Sequence, residues 1–403
     1  IFRWYQVLAD QLLEWSNMDI LYALASWESI KEALSRIHRS CPQGILRIPA
    51  PDFNPSIGET LYTVNAVVTS RYHVEALMSL GIQDKVSVVD LFDEILRTVE
   101  DKEFHKGIFR ILRKLCPACG ALPRSFYVPS SELSKLEHES DNFGGFADVW
   151  RGQYSGRQVA LKIFRVHRNN RAAMLKVFCR EAVSWKYLCH PNVVPFLGIE
   201  ETENQLCMVS VWMRNGSIMN YLKENPASGR MQLLIDVAQG LQYLHSVGII
   251  HADLKGPNIL ISDDHRACLI DFGLASVIHD PDTIHSITTT STVQGTTRWM
   301  APELLDPDQF EQAQGRPSEA SDIYALAMVM LEVFSGALPF GTLPNEAAII
   351  WKVMRGDRPS HPLQAISLGL SDVIWELMTQ CWQQSPSQRP SMPHVVDIMQ
   401  SQL

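Results

Sequence analysis

Basic residues are in deficit. The 403-residue chain has 35 Lys and Arg against 44 Asp and Glu, a net charge of −9. A general nucleic-acid binder presents a basic face, so no nucleic-acid partner is expected. Long apolar runs are missing too. Crossing a bilayer takes about 20 apolar residues, and the longest candidate, 323–331, is too short and ends at Glu332; no membrane span is expected. Cysteine is sparse: eight are scattered, mostly within apolar segments. That excludes a disulfide framework and fits free thiols in a reducing, cytoplasmic compartment. The single CxxC, Cys116-Pro117-Ala118-Cys119, has no second pair nearby to complete a zinc site and reads as two thiols at a helix end. Internal repeats and low-complexity tracts are absent.

What is present suits a globular protein with a full core: 46% hydrophobic and 20% charged residues. Up to residue 115 the pattern is helical, with Val7, Leu8, Leu12 and Trp15, and then Val88, Val89, Phe92, Ile95, Leu96 and Val99, near helical spacing. A proline-bearing connection covers 41–59, and Gly81 and Gly107 read as breaks. The basic, amphipathic stretch 106–114 reads as a solvated helix face. Pro117, Gly120, Pro123 and Pro129 mark 116–135 as a linker. Beyond it the period changes. Val159, Leu161 and Ile163 alternate as in a strand, 207–213 forms a second short strand, and Leu234, Val237, Ala238, Leu241 and Leu244 mark one helical face. Strands followed by helices imply an α+β arrangement of two lobes with a cleft between them.

The chemistry concentrates in His251-Ala252-Asp253-Leu254-Lys255-Gly256-Pro257-Asn258-Ile259-Leu260 and in Leu269-Ile270-Asp271-Phe272-Gly273. A carboxylate at Asp271 suits Mg²⁺, a hard cation that takes oxygen ligands and shares them with phosphates. Asn258 offers a second, neutral oxygen. Asp253 is placed to accept or orient the proton of an attacking hydroxyl, and Lys255 to neutralise a transferred phosphoryl group. Each residue alone reads as a capped turn or a solvated charge. The four together point to phosphoryl transfer.

These motifs resemble the eukaryotic protein-kinase superfamily over about 136–403, with 1–115 as a helical region of its own. The resemblance implies a bilobal protein-kinase fold, a small β-rich lobe and a larger helical one, with ATP and Mg²⁺ as cofactors and proteins as substrates. It places Lys162, in Val159-Ala160-Leu161-Lys162, on the nucleotide phosphates, paired with Glu181. It places Asn142, Gly144, Val149, Ala160, Ser210, Val211, Met213 and Leu260 around the nucleotide, and Asn258 and Asp271 on the metal. Trp185, Phe196, His251 and Phe272 are implied to stack as a column joining the lobes, so His251 is a packing residue. Glu303 is implied to pair with Arg389, and Asp322 to anchor the loop that carries Asp253. Lys255, and Thr296 placed to touch both Asp253 and Lys255, resemble serine/threonine kinases. Trp299-Met300-Ala301-Pro302-Glu303 with Cys381-Trp382 is similar to the tyrosine-kinase-like group, whose members mostly modify serine and threonine.

The chain departs from that pattern in places. Of three family glycines in the phosphate loop only Gly144 is kept; Asn142 and Ala147 replace the others. Ala252 stands where many kinases have an arginine that receives an activation-loop phosphate. Activity independent of phosphorylation at Thr288, Thr289, Thr290, Ser291 and Thr292 is therefore expected. The alternative to an enzyme is a pseudokinase scaffold or nucleotide switch, but Lys162, Asp253, Asn258 and Asp271 are all present. The helical region is expected to engage a protein partner.

Overall fold

The computed structural model describes residues 71–79, 81–98, 102–136, 142–143, 147–166, 171–202, 205–272, 296–310, 315–343 and 345–403. Two compact units divide the chain, Ile1–Ser125 and Phe126–Leu403. In the first, three helices are described: α1 (Arg71–Ser79), α2 (Ile82–Thr98) and α3 (Lys102–Cys119). Val88, Val89, Phe92 and Ile95 are buried on α2, and Ile108, Ile111, Leu112 and Leu115 on α3. Gly81 does precede a helix start. Gly107 does not break one: it lies inside α3, whose apolar stripe runs on past it and outweighs the roughly 1 kcal/mol that glycine costs there. The helical pattern expected around Val7 to Trp15, the connection at 41–59 and Val99 lie outside the described residues.

Residues 116–135 carry more structure than their turn-rich composition signals. Helix α3 runs to Cys119 with Pro117 in its last turn, and Leu133–Lys135 is a strand, β1. Neither Cys116 nor Cys119 is in a disulfide, and burial first of all raises the Cys119 pKa.

The second unit begins with an antiparallel sheet. Its further strands are β2 (Asn142–Phe143), β3 (Ala147–Tyr154), β4 (Arg157–Phe164), β5 (Phe196–Glu201) and β6 (Leu206–Val211). The order is β1-β3-β4-β6-β5, with β2 also on β3. Strand periodicity sends Val159 and Leu161 to one face, where they pack with Val128, Cys207 and Val209. Ala160 and Lys162 therefore face the other way. Register places Val149 opposite Lys162 and Ser210 opposite Ala160, so all four share that second face. Helix α4 (Arg171–Lys186) lies between β4 and β5 in sequence and buries Met174, Val177, Phe178 and Ala182.

The rest of the unit is mainly helical: α5 (Ile218–Glu224), α6 (Arg230–Ser246), the hairpin β7 (Ile259–Ile261) and β8 (Ala267–Leu269), then α7 (Pro302–Leu305), α8 (Glu319–Ser335), α9 (Glu346–Met354), α10 (Asp372–Cys381) and α11 (Met392–Gln400). Helix α8 is buried from Ser321 to Phe334 because it is apolar all round. A reciprocal Ser318–Ser321 capping box starts it, and left-handed Gly336 ends it. Among the described residues, no helix is long and apolar enough to cross a membrane.

Candidate active site

Three elements meet at Lys162. Strand β4 presents its ammonium, which lies 2.7 Å from Glu181 Oε1 on α4 and 2.6 Å from Asp271 Oδ1 just after β8. Burial alone would strip the charge from Lys162, but Asp271 and then Glu181 outweigh it and hold its pKa above the usual lysine value. For Asp271 too, burial opposes ionisation, and Lys162 overcomes it and keeps the pKa below the usual carboxylate range. Glu181 is raised by burial; Lys162 opposes that and Asp271 reinforces it. Asp271 sits at φ 59°, a left-handed conformation costly for a non-glycine residue, and one found preferentially at functional sites.

The loop between α6 and β7 is held from beneath. Asp322, in the first turn of α8, accepts hydrogen bonds from the backbone N–H of His251 (2.8 Å) and Ala252 (2.8 Å) and lies 2.9 Å from His245 Nε2. Ala252 is pinned at φ 68° by that grip. Asp253 follows. Its Oδ2 accepts from Asn258 Nδ2 (3.0 Å) and forms an ion pair with Lys255 Nζ at 2.8 Å. Its Oδ1 is buried and accepts no hydrogen bond from the described residues. A buried carboxylate oxygen without a donor suits an incoming hydroxyl proton. Lys255 also donates to Thr296 Oγ1 at 3.0 Å. The threonine thus reaches Lys255 directly, as the resemblance implied, but is joined to Asp253 through the ammonium.

Asn258 Nδ2 is spent on Asp253, both on its carboxylate and on its backbone oxygen at 2.8 Å. The amide oxygen of Asn258 and the carboxylate of Asp271 form a sparse, all-oxygen donor pair. No cluster of three or more His, Cys, Asp or Glu fit for a metal occurs among the described residues. Two oxygens fit Mg²⁺ completed by water and phosphate, rather than a cage for Zn²⁺ or Ca²⁺.

An aromatic column links the lobes. Ring centroids run from Phe196 to Trp185 (5.4 Å), Trp185 to Phe272 (5.8 Å) and Phe272 to His251 (6.3 Å). Burial holds the His251 pKa below its usual value despite Asp322, Asp253 and Asp271, so the ring packs as a neutral group. Val149, Ala160, Val211 and Leu260 are half-buried, and Ser210 and Met213 buried; register sets Val149, Ala160 and Ser210 on the sheet face that carries Lys162, and Val211 opposite Val159 on the other face. Gly144, residues 288–292 and the Asn142 side chain lie outside what is described.

One site residue escaped sequence reading. Glu332, near the end of α8, accepts hydrogen bonds from Gly256 N (3.2 Å) and Trp299 Nε1 (3.0 Å). It joins the Asp253 loop to the segment after Thr296. An added Cβ on Gly256 would come within 2.6 Å of Glu332 Oε1, so a side chain there would displace the Glu332 carboxyl. The available signal was an acid closing the apolar run 323–331.

This geometry has relatives. The description of the protein tyrosine and serine/threonine kinase family matches residues 141–399. The chain is similar to serine/threonine-protein kinase STY17 of Arabidopsis thaliana, 31% identical over 294 residues, covering 71% of this chain and 48% of that protein. Serine/threonine/tyrosine-protein kinase HT1 of the same plant is 30% identical over 266 residues, 64% of this chain and 63% of HT1. Dual specificity protein kinase pyk3 of Dictyostelium discoideum is 30% identical over 378 residues, 91% of this chain but 25% of its own length. This chain thus spans less than two thirds of each of these relatives. With the family pattern matched along 141–399 and the bilobal fold around Lys162, the chain belongs to the eukaryotic protein kinases, in the tyrosine-kinase-like group.

Proposed function

We propose that this chain transfers the γ-phosphoryl group of ATP to serine and threonine hydroxyls of proteins. The observation that carries this reading is the joined set Glu181–Lys162–Asp271 above Asp253, whose Oδ1 stands without a donor. Lys162 holds the nucleotide phosphates, and Glu181 fixes its ammonium. Val149, Ala160, Ser210, Val211, Met213 and Leu260 take the base, with Asn142 and Gly144 over the phosphates. Asp271 and Asn258 hold Mg²⁺, which neutralises phosphate charge when bound. Asp253 Oδ1 receives the proton of the attacking hydroxyl, while Lys255, steadied by Thr296, faces the charge that develops on the moving group. The pseudokinase reading is disfavoured because each of these groups is present. The names of STY17 and HT1 support serine/threonine substrates. The region before Phe126 is proposed to dock a protein partner, and the chain to work in the cytoplasm.

The test is transfer of label from ATP to a generic protein substrate. Asp253→Asn is expected to lower turnover by roughly 10²–10⁴-fold while nucleotide binding survives. Asp271→Ala should abolish transfer. Equal rates for wild type and both variants would overturn the proposal.

A further inference from the structure

The column described above does not end at Phe196. Phe126, the first residue of the catalytic unit, is fully buried, and its ring meets Phe196 edge-on at 6.4 Å and Tyr187 at 5.8 Å. Lys186, the last residue of α4, sets its ammonium 5.5 Å from the Phe126 centroid and 5.9 Å from that of Phe196. The backbone is engaged as well. Tyr127 forms a parallel bridge with Ile199, and Val128 N donates to Ile199 O at 2.9 Å. Strand β5 is built to receive this segment. Its register shifts between Phe196 and Gly198, and a Cβ on Gly198 would fall 2.5 Å from Val128 Cγ1 and 2.6 Å from Phe126 O.

We infer that Phe126 is a positioning residue for phosphoryl transfer, acting as a cap that locks the C-terminal end of α4 against β5. Helix α4 is the element that carries Glu181, five positions before Lys186. A ring wedged between Lys186, Tyr187 and Phe196 opposes the sliding of α4 along the sheet. That sliding would part Glu181 from Lys162, a contact of 2.7 Å. The cap lies where the chain enters the catalytic unit, so anything that pulls on 126–128 acts on the Lys162–Glu181 pair. This inference rests on the kinase reading for its activity readout, but its structural readout is independent.

The experiment compares full-length wild type, Phe126→Ala, Phe126→Leu, Gly198→Ala and a control, Ile374→Ala, which empties a buried site on α10. Turnover, KM for ATP and amide exchange of 171–186 are measured where all variants are folded. Phe126→Ala and Gly198→Ala should each lower kcat by about tenfold, the effect of a 1.4 kcal/mol shift in the α4 equilibrium. Exchange across 171–186 should rise while exchange in α10 and α11 stays unchanged. Phe126→Leu should restore most of the loss, and Ile374→Ala should leave kcat near wild type. Unchanged exchange in α4 for Phe126→Ala, or a kcat loss equalled by Ile374→Ala, would overturn the inference. A wild type with no transfer activity would overturn the kinase reading instead, and the exchange data would then decide the cap alone.

Discussion

Glu332 shows how much one buried acid controls. It is 2% exposed, and burial raises its carboxyl to about 7, against the opposing effects of the Gly256 and Trp299 hydrogen bonds and Lys255. The unfolded value is about 4.5, so between pH 4.5 and 7 the folded chain keeps a proton that the unfolded chain has lost. Stability from this group is therefore complete below 4.5 and falls as pH rises to about 7, by on the order of 3 kcal/mol. Glu332→Gln removes the titration and keeps an amide oxygen for both donors. Denaturant unfolding at pH 5 and pH 8 should show the wild type losing ground to the variant as pH rises; parallel profiles would refute the assignment. Sequence displayed Asp253, Lys255, Asn258 and Asp271 because they crowd into about twenty residues between apolar runs. Glu332 was hidden because its partners, Gly256 and Trp299, lie 76 and 33 positions away.

At the scale of elements, period was the readable signal. The face of α6 and the alternation of β4 could be seen because burial on one side repeats every 3.6 or 2 residues. Phe126 could not: one aromatic among turn residues has no period, and its seat depends on a missing side chain at Gly198. Gly107 was misread for the opposite reason, since a lone glycine says nothing about the packing that overrides it. Gly240 is another such case. Inside α6, glycine to alanine ordinarily gains about 1 kcal/mol. Here the new Cβ would lie 2.7 Å from Asn192 O, a carbonyl that also accepts from Leu269 N at 2.9 Å. Backbone cannot yield as a flexible side chain does. Gly240→Ala is expected to cost about 1–3 kcal/mol and, by pushing β8, to raise KM for ATP through Asp271. A thermal melt decides it: a stabilised variant would show that the gap between α6 and residue 192 relaxes freely.

Across the whole catalytic unit, one buried ion pair joins elements far apart in sequence. Arg389 donates to Glu303 from both terminal nitrogens, at 2.6 and 2.7 Å, over 86 positions of sequence. Both residues are buried, at 8% and 1% exposure, and Arg389 also donates to Ala320 O at 2.9 Å and Gln383 O at 3.0 Å. Thus α7, the start of α8 and the chain before α11 meet at one guanidinium. Such a pair adds little net stability over a well-packed apolar replacement, because two charges are desolvated to form it. Breaking it is different: a lone carboxylate stays buried, at a cost of about 3–5 kcal/mol. Arg389→Met alone should therefore lower unfolding free energy by that amount and loosen the segment that holds Thr296 and Trp299, so turnover falls too. Adding Glu303→Leu removes the stranded charge. The double variant is expected to be more stable than Arg389→Met, although it carries one more substitution, while turnover stays low because the three segments are no longer tied. Denaturant unfolding of the four chains of this cycle settles the sign of the coupling. A double variant as unstable as the sum of the two single ones would mean that Glu303 and Arg389 act separately and that the C-terminal helices are held by apolar packing alone.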